Sequence, residues 1–511
     1  MAAILLSTLN ARYIHSSLGL RYLKANMGDL EQETHIVEFI INTRPIDIVE
    51  TLLNQNASII GFGVYIWNIE QTTQVITLLK QIKPDVMIVI GGPEVSYEYH
   101  EQSIAQLADY VICGYADFSF AELCHELLND NPPTHRIITS LPFPVAQLHF
   151  PYQYYTEEDI AHRVLYVEAS RGCPFKCQFC LSALDKTAWP FDTEQFLGEM
   201  KKLFDRGARH FKFVDRTFNL NVKVSIKILK FFLDLLENHK LFLHFELIPD
   251  QLPEPLKAII QDFPEGVLQF EIGIQSFNPS VQQTISRKQN NEATKNNLQW
   301  IRSETTAHIH ADLIVGLPGE DVTSFAEGFN SLVELDPHEI QVGILKRLRG
   351  TPIIQHTAGY GMVYNPLPPY NILCSDLIDF PTMQRLVRFA RYWDMIANSG
   401  RFYATKPMLL ADNPFERFMR FSDWLFQTTQ QTHKISLPRL FELLYQGLTD
   451  ALQIPHHVVC DALWLDFQRS GLKGLPSFID KDKIKKTTAS KKISGATVLS
   501  RQTQHMLGQN S

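Results

Sequence analysis

Residues 164–180 read VLYVEASRGCPFKCQFC, an apolar run that passes directly into three cysteines, Cys173, Cys177 and Cys180. The first half has the length and Val/Leu/Tyr content of a buried strand. The second half is C-x-x-x-C-x-x-C, and thiolates at that spacing can wrap one soft metal centre from a loop. Three ligands is the informative count. A structural zinc takes four, and no fourth Cys or His lies nearby in the sequence. A [4Fe–4S] cluster held by three thiolates leaves one iron open to a small molecule. A zinc clip or three unrelated buried thiols is the plainer alternative.

This strand opens an alternating series that runs to about residue 351. Strands are expected at about 164–169, 210–215, 242–248, 268–275, 308–315 and 340–345. Helices fit between them, including 194–205, 223–238, 291–303 and 324–335. Six strand–helix repeats predict a partial (β/α)6 TIM-type barrel over 161–364, with its chemistry at the carboxyl ends of the strands.

Upstream, strands at about 3–9, 34–40, 58–66, 85–90 and 110–114 alternate with helices such as 45–55 and 69–82. They are apolar on both faces, as parallel strands covered by helices are. The α/β reading for 1–140 is therefore a doubly wound, flavodoxin-like parallel sheet. Five prolines between 132 and 151 mark 141–160 as a linker across the surface. After Pro366, Pro368 and Pro369 the pattern turns mostly helical over 365–479, clearest at 384–397 and 437–452. The stretch 480–511, with KDKIKK and few apolar residues, is expected to be a disordered basic tail.

Composition limits the function. The chain has 511 residues, 45% hydrophobic and 20% charged, which excludes a mostly disordered protein. Its net charge of −8 argues against nucleic acid as a partner. No apolar run approaches the ~20 residues that span a bilayer, and MAAILLSTLN reads as a strand, not a leader. No membrane association is expected. Seven cysteines are too few and too unevenly spaced for a secreted disulfide framework, so the expected compartment is the cytoplasm.

The cysteine motif, with Phe179 before the last cysteine, resembles that of the radical S-adenosylmethionine superfamily. The resemblance implies a [4Fe–4S] cluster whose open iron chelates S-adenosylmethionine, and reductive cleavage to a 5′-deoxyadenosyl radical. Later positions are similar to the subgroup typified by coproporphyrinogen dehydrogenase: Glu246 in HFELIP, Gln275 in EIGIQSF, Arg287 in SRKQNN and Asp312 in HADLIVGLPGE. The resemblance implies that these four surround the amino acid and ribose ends of S-adenosylmethionine. Acceptors for an ammonium and two hydroxyls, and a cation for a carboxylate, are what that ligand needs. One segment departs. Where relatives carry a Gly-Gly-Glu-like stretch, this chain has FVDRTFNLN, with Asp215, Thr217 and Asn219, a DxxF-type variant common in cobalamin-associated members.

The N-terminal sheet resembles the cobalamin-binding domain found ahead of many such barrels, on GFGVYIWN, VIGGPEVS and DYVICGYAD. Gly91 and Gly92 are the candidate cobalamin contacts, because a Gly-Gly at a strand end admits a ligand close to the backbone. Tyr65 and Trp67 either cover a corrin face or pack under a loop. The Asp-x-His-x-x-Gly cobalt-ligand motif is absent, and His15 is not expected to be an axial ligand. An extra C-terminal helical domain of uncharacterised role completes the resemblance.

The implied function is a cobalamin-dependent radical enzyme transferring a methyl group. The alternatives are a cobalamin-linked cyclase or rearrangement enzyme, and a non-catalytic iron–sulfur redox sensor. The substrate is a small molecule or of unknown class, and flavodoxin or ferredoxin is the expected electron donor. Lys346, Arg347 and Arg349 either meet an anionic substrate or are solvated charges.

Overall fold

A computed structural model describes residues 3–479 together with Arg501, Gln502 and His505. The chain packs as two units. Unit 1 comprises 1–246, 346–355 and 365–371; unit 2 comprises 247–345, 356–364 and 372–511.

Unit 1 begins with six parallel strands: β1 (Ile4–Asn10), β2 (Thr34–Ile40), β3 (Ile59–Gly63), β4 (Met87–Gly91), β5 (Tyr110–Cys113) and β6 (Ile137–Thr139). Their spatial order is β2-β1-β3-β4-β5-β6, with Ile4 opposite both Thr34 and Ile59. Strand β6 was not foreseen; its three residues are too short to show a period. Side-chain alternation splits the core into two layers. Leu5, Leu9, Ile60 and Ile88 pack under one set of helices, and Ile4, Leu6, Ile59 and Val89 under the other. The strand order reverses between β1 and β3, and at such a point doubly wound sheets open a crevice at their carboxyl edge.

The stretch 141–160 is not an exposed tether. Val145 and Leu148 are buried, and Tyr152 and Tyr155 are completely so. The Tyr152 hydroxyl bonds the backbone of Glu168, and the Tyr155 hydroxyl donates to the Tyr166 carbonyl at 2.6 Å. The prolines that end regular structure here leave the aromatic side chains free to pack.

The second sheet is also parallel, with order β12-β11-β10-β9-β8-β7. Its strands are β7 (Leu165–Val167), β8 (His210–Phe213), β9 (Phe242–Leu247), β10 (Leu268–Gln275), β11 (His308–Val315) and β12 (Glu339–Ile344). Strand β10 alternates strictly, with Leu268, Phe270, Ile272 and Ile274 buried. Each strand is followed by a helix, as in a (β/α)6 partial barrel.

The rest of unit 2 is mostly helical: α1 (Phe380–Ile396), α2 (Pro414–Thr429), α3 (Leu437–Gln446) and α4 (His456–Arg469). Asp379 and Asn413 cap α1 and α2 by accepting the N–H of Thr382 and Glu416. An aromatic cluster fixes the two helices. Trp393 lies 4.8 Å from Phe329 and 5.1 Å from Phe418, ring centre to ring centre. Most of the expected disordered tail lies outside the described residues. Arg501 and His505 depart from that expectation: Arg501 pairs with Glu339 and Asp394, and His505 bonds the Asn398 carbonyl at 3.1 Å. The buried Glu339 carboxylate takes Arg501, and the Asn398 carbonyl takes His505. Among the described residues no helix is long and apolar enough to cross a membrane.

Candidate active site

The three cysteines stand in the loop after β7, where Cys173 and Cys177 are buried and Cys180 is partly exposed. Gly172 enters the loop at φ 96°, and a Cβ there would meet the Thr187 carbonyl on the returning arm. That arm is held to the cysteines by the Cys173 N–H donating to the Asp185 carbonyl at 3.2 Å. The Cys180 N–H closes a turn on the Cys177 carbonyl at 3.1 Å, and the Gln178 carbonyl accepts the Ile353 N–H at 2.9 Å.

Burial pushes the Cys173 thiol up, and the neighbouring Cys180 and Cys177 push it further. The Phe175 N–H and the Arg216 guanidinium pull the other way. The three sulfurs thus share one electrostatic environment. Among the described residues no three His, Cys, Asp or Glu side chains converge on one ion. A cluster has a different requirement, since each thiolate binds its own iron.

Asp215 follows β8 and anchors the start of the same loop. It accepts the Ala169 N–H at 2.9 Å and the Ser170 hydroxyl at 2.6 Å, and burial raises its carboxyl to about 7. Glu246 is the penultimate residue of β9, and its carboxylate receives the Arg216 guanidinium at 2.8 Å.

The carboxyl edge of β3, β4 and β5 opens a crevice of about 230 Å³. Gly61, Gly63, Gly91 and Gly114 give it bare backbone walls, and Phe62 and Ile90 give it apolar ones. Those walls suit a flat heteroaromatic tail of the kind cobalamin carries. Gly91 has room for a Cβ at ordinary contact, 3.5 Å from the Ile112 carbonyl. Gly92 differs from expectation. It lies at φ 111°, and its Cβ would come 2.5 Å from the Val64 carbonyl, so the sheet's own backbone requires glycine there.

Tyr65 and Trp67 stack on each other at 4.4 Å, with Trp67 largely exposed and its indole N–H donating to the Leu9 carbonyl. His15 bonds the Tyr166 hydroxyl at 2.6 Å. Arg347 and Arg349 are neither solvated nor open. Arg347 pairs with Glu98 at 2.9 Å, and Arg349 with Glu94 and Glu98 at 3.1 Å each. Lys346 is exposed.

Crevice and cluster loop are linked by residues the sequence did not single out. Arg171 borders the crevice and donates to Asp117 at 3.1 Å and Glu168 at 2.7 Å, its guanidinium over the Tyr22 ring. The Tyr115 hydroxyl donates to the Asp185 carboxylate. Arg171 and Asp117, like Tyr115 and Asp185, are more than 50 residues apart in the chain, and no local pattern announces them.

In unit 2, Gln275 ends β10 at φ 72°, beyond a register shift at Gly273. A Cβ on Gly273 would strike the Gln275 amide at 2.5 Å. The Arg287 guanidinium donates to the Gly273 carbonyl and to Gln289. Asp312, on β11, lies 3.6 Å from the His310 ring. Ser276 donates to Glu320, and burial raises that carboxyl to about 7. Glu320 was also missed, although GLPGE contains it.

The chain matches three families: the B12 binding domain over residues 5–124, the Radical SAM superfamily over 167–331, and Protein of unknown function (DUF4080) over 358–508. It is 24% identical over 371 residues to 2-(S-pantetheinyl)-carbapenam-3-carboxylate methyltransferase of Streptantibioticus cattleyicolor, covering 65% of this chain and 54% of that protein. It is 22% identical over 326 residues to the cobalamin-dependent radical SAM methyltransferase TokK of Streptomyces tokunonensis, covering 56% and 47%. The chain thus spans about half the length of these curated relatives. The fold is that of the radical S-adenosylmethionine methyltransferase TsrM from Kitasatospora setae: TM-score 0.58, 14% identity, 92% of this chain and 100% of that one.

Proposed function

For this chain, which belongs to the radical S-adenosylmethionine superfamily and carries a B12-binding domain ahead of its barrel, we propose methyl transfer to a small-molecule substrate. The observation that carries the reading is the placement of three close thiols at the carboxyl end of a parallel strand, in a loop bonded to residues of a glycine-walled crevice. When bound, the groups supply one-electron cleavage of a sulfonium at the cluster and carriage of a methyl group by the cobalt.

The chain's residues have these roles in our reading. Residues 1–140 form the cobalamin-binding domain and 161–364 the radical core. Cys173, Cys177 and Cys180 would hold the cluster through their thiolates, and the cluster would in turn bind S-adenosylmethionine. Glu246, Gln275, Arg287 and Asp312 bind that cosubstrate: carboxylates and an amide accept from ammonium and hydroxyls, and the guanidinium takes the carboxylate. Gly91 borders the path of the cobalamin tail, and Gly92 keeps that path open by fixing the backbone around Val64. His15, whose Nδ1 bonds the Tyr166 hydroxyl, stands outside any Asp-x-His-x-x-Gly motif and is given no role on cobalt in this reading. The electron comes from a flavodoxin or ferredoxin, in the cytoplasm.

The products of S-adenosylmethionine test this reading in reconstituted protein under dithionite without oxygen. Formation of both 5′-deoxyadenosine and S-adenosylhomocysteine is expected. 5′-Deoxyadenosine alone would replace methyl transfer by cyclisation or rearrangement, and neither product would leave a redox sensor.

A further inference from the structure

Unit 2 contains another cavity, of about 470 Å³, at the amino ends of β11 and β12. Gln275 ends the parallel strand β10 at the opposite edge. Four nitrogen-bearing side chains border the cavity: Arg302, His338, Lys406 and His505. Tyr403 and Leu410 supply an aromatic and an apolar wall.

Lys406 is the decisive residue. Its ammonium has no hydrogen bond or ion pair with any described residue, although it faces a concave space. Burial pulls it below its ordinary value; Asp336 opposes that and Arg302 adds to it. Asp336 is already committed, since Arg302 donates to its carbonyl and its carboxylate, both at 2.8 Å. His338 accepts the Ile309 N–H on Nδ1 at 3.0 Å, which leaves the ring proton on Nε2. Burial and the surrounding cations hold His338 at about 2 and His505 at about 4. The pocket therefore concentrates cationic and N–H groups with a single carboxylate between them.

We propose that this cavity binds an organic phosphomonoester, with its phosphate on Lys406 beside Arg302 and its body against Tyr403 and Leu410. A phosphate dianion suits the point-charge ammonium of Lys406, with the Arg302 guanidinium bordering the same cavity. The cavity is far larger than a bare oxyanion, and its apolar side calls for a carbon skeleton. The proposal stands apart from the cluster and cobalamin reading.

The test is calorimetric titration of the full chain with phenyl phosphate, inorganic phosphate and phenol. Phenyl phosphate is expected to bind, with affinity reduced at least tenfold in Lys406→Met and within threefold of wild type in Lys406→Arg. Inorganic phosphate should bind more weakly, and phenol not at all. The His338 and His505 ring signals should titrate at higher pH when phenyl phosphate is present. No binding of phenyl phosphate by wild type, or equal binding by Lys406→Met, would overturn the site. Equal affinity for inorganic phosphate would overturn the organic body. Unchanged thermal unfolding of Lys406→Met shows that a loss is not misfolding.

Discussion

Glu320 ends the turn after β11 with its carboxyl raised to about 7 by burial, the Ser276 hydroxyl only partly offsetting this. In the unfolded chain the same carboxyl loses its proton near 4.5. Between these values the native state binds more protons than the unfolded state, so stability falls as pH rises. The upper bound is about 3 kcal/mol. Glu320→Gln accepts the same hydroxyl without a charge, so denaturant unfolding should show it gaining on wild type from pH 5 to pH 7.5. A constant difference across that range would place the ionisation elsewhere. The cysteines give a second prediction at this scale. Cys173→Ala, Cys177→Ala or Cys180→Ala should each abolish the visible absorption of the reconstituted cluster. Alanine at Cys113, Cys124, Cys374 or Cys460 should leave it, since none of these belongs to the C-x-x-x-C-x-x-C motif.

At the scale of elements, the cluster loop is a short irregular segment whose order comes from its neighbours. The Tyr115 hydroxyl on Asp185 and the Arg171 guanidinium between Asp117 and Glu168 hold both of its arms. Tyr115→Phe removes one of these bonds, at a cost of about 1–2 kcal/mol. It should release iron faster to a chelator while the secondary structure remains. An unchanged release rate would show that the loop is held by its own turns. The elements were legible where a period was long. Strands β10 and β11 carry eight residues each, and the strict alternation of β10 marks both of its ends. In the region 141–160 the prolines mark a connection, but not that it packs inward through Tyr152 and Tyr155. The cysteine motif and the Gly-Gly pair stand out in the sequence because their spacing is local, whereas the clash of Gly92 with the Val64 backbone shows only in the fold. The pairing of Arg347 and Arg349 was not legible, because their partners Glu98 and Glu94 stand about 250 residues away.

At the scale of the whole molecule, two cofactor sites are assigned to separate elements, the crevice of the first sheet and the loop after β7. Substitution should therefore divide them. Gly91→Val fills the crevice without the backbone clash expected at Gly92. It should remove cobalt and keep iron, and the triple cysteine variant should do the reverse. The most direct measurement is iron and cobalt content per chain after anaerobic reconstitution with iron, sulfide and cobalamin. The account predicts a four-iron complement and stoichiometric cobalt in wild type, each lost only in its own variant. Wild-type protein that takes up no cobalt, or a triple cysteine variant that keeps its iron, would contradict it.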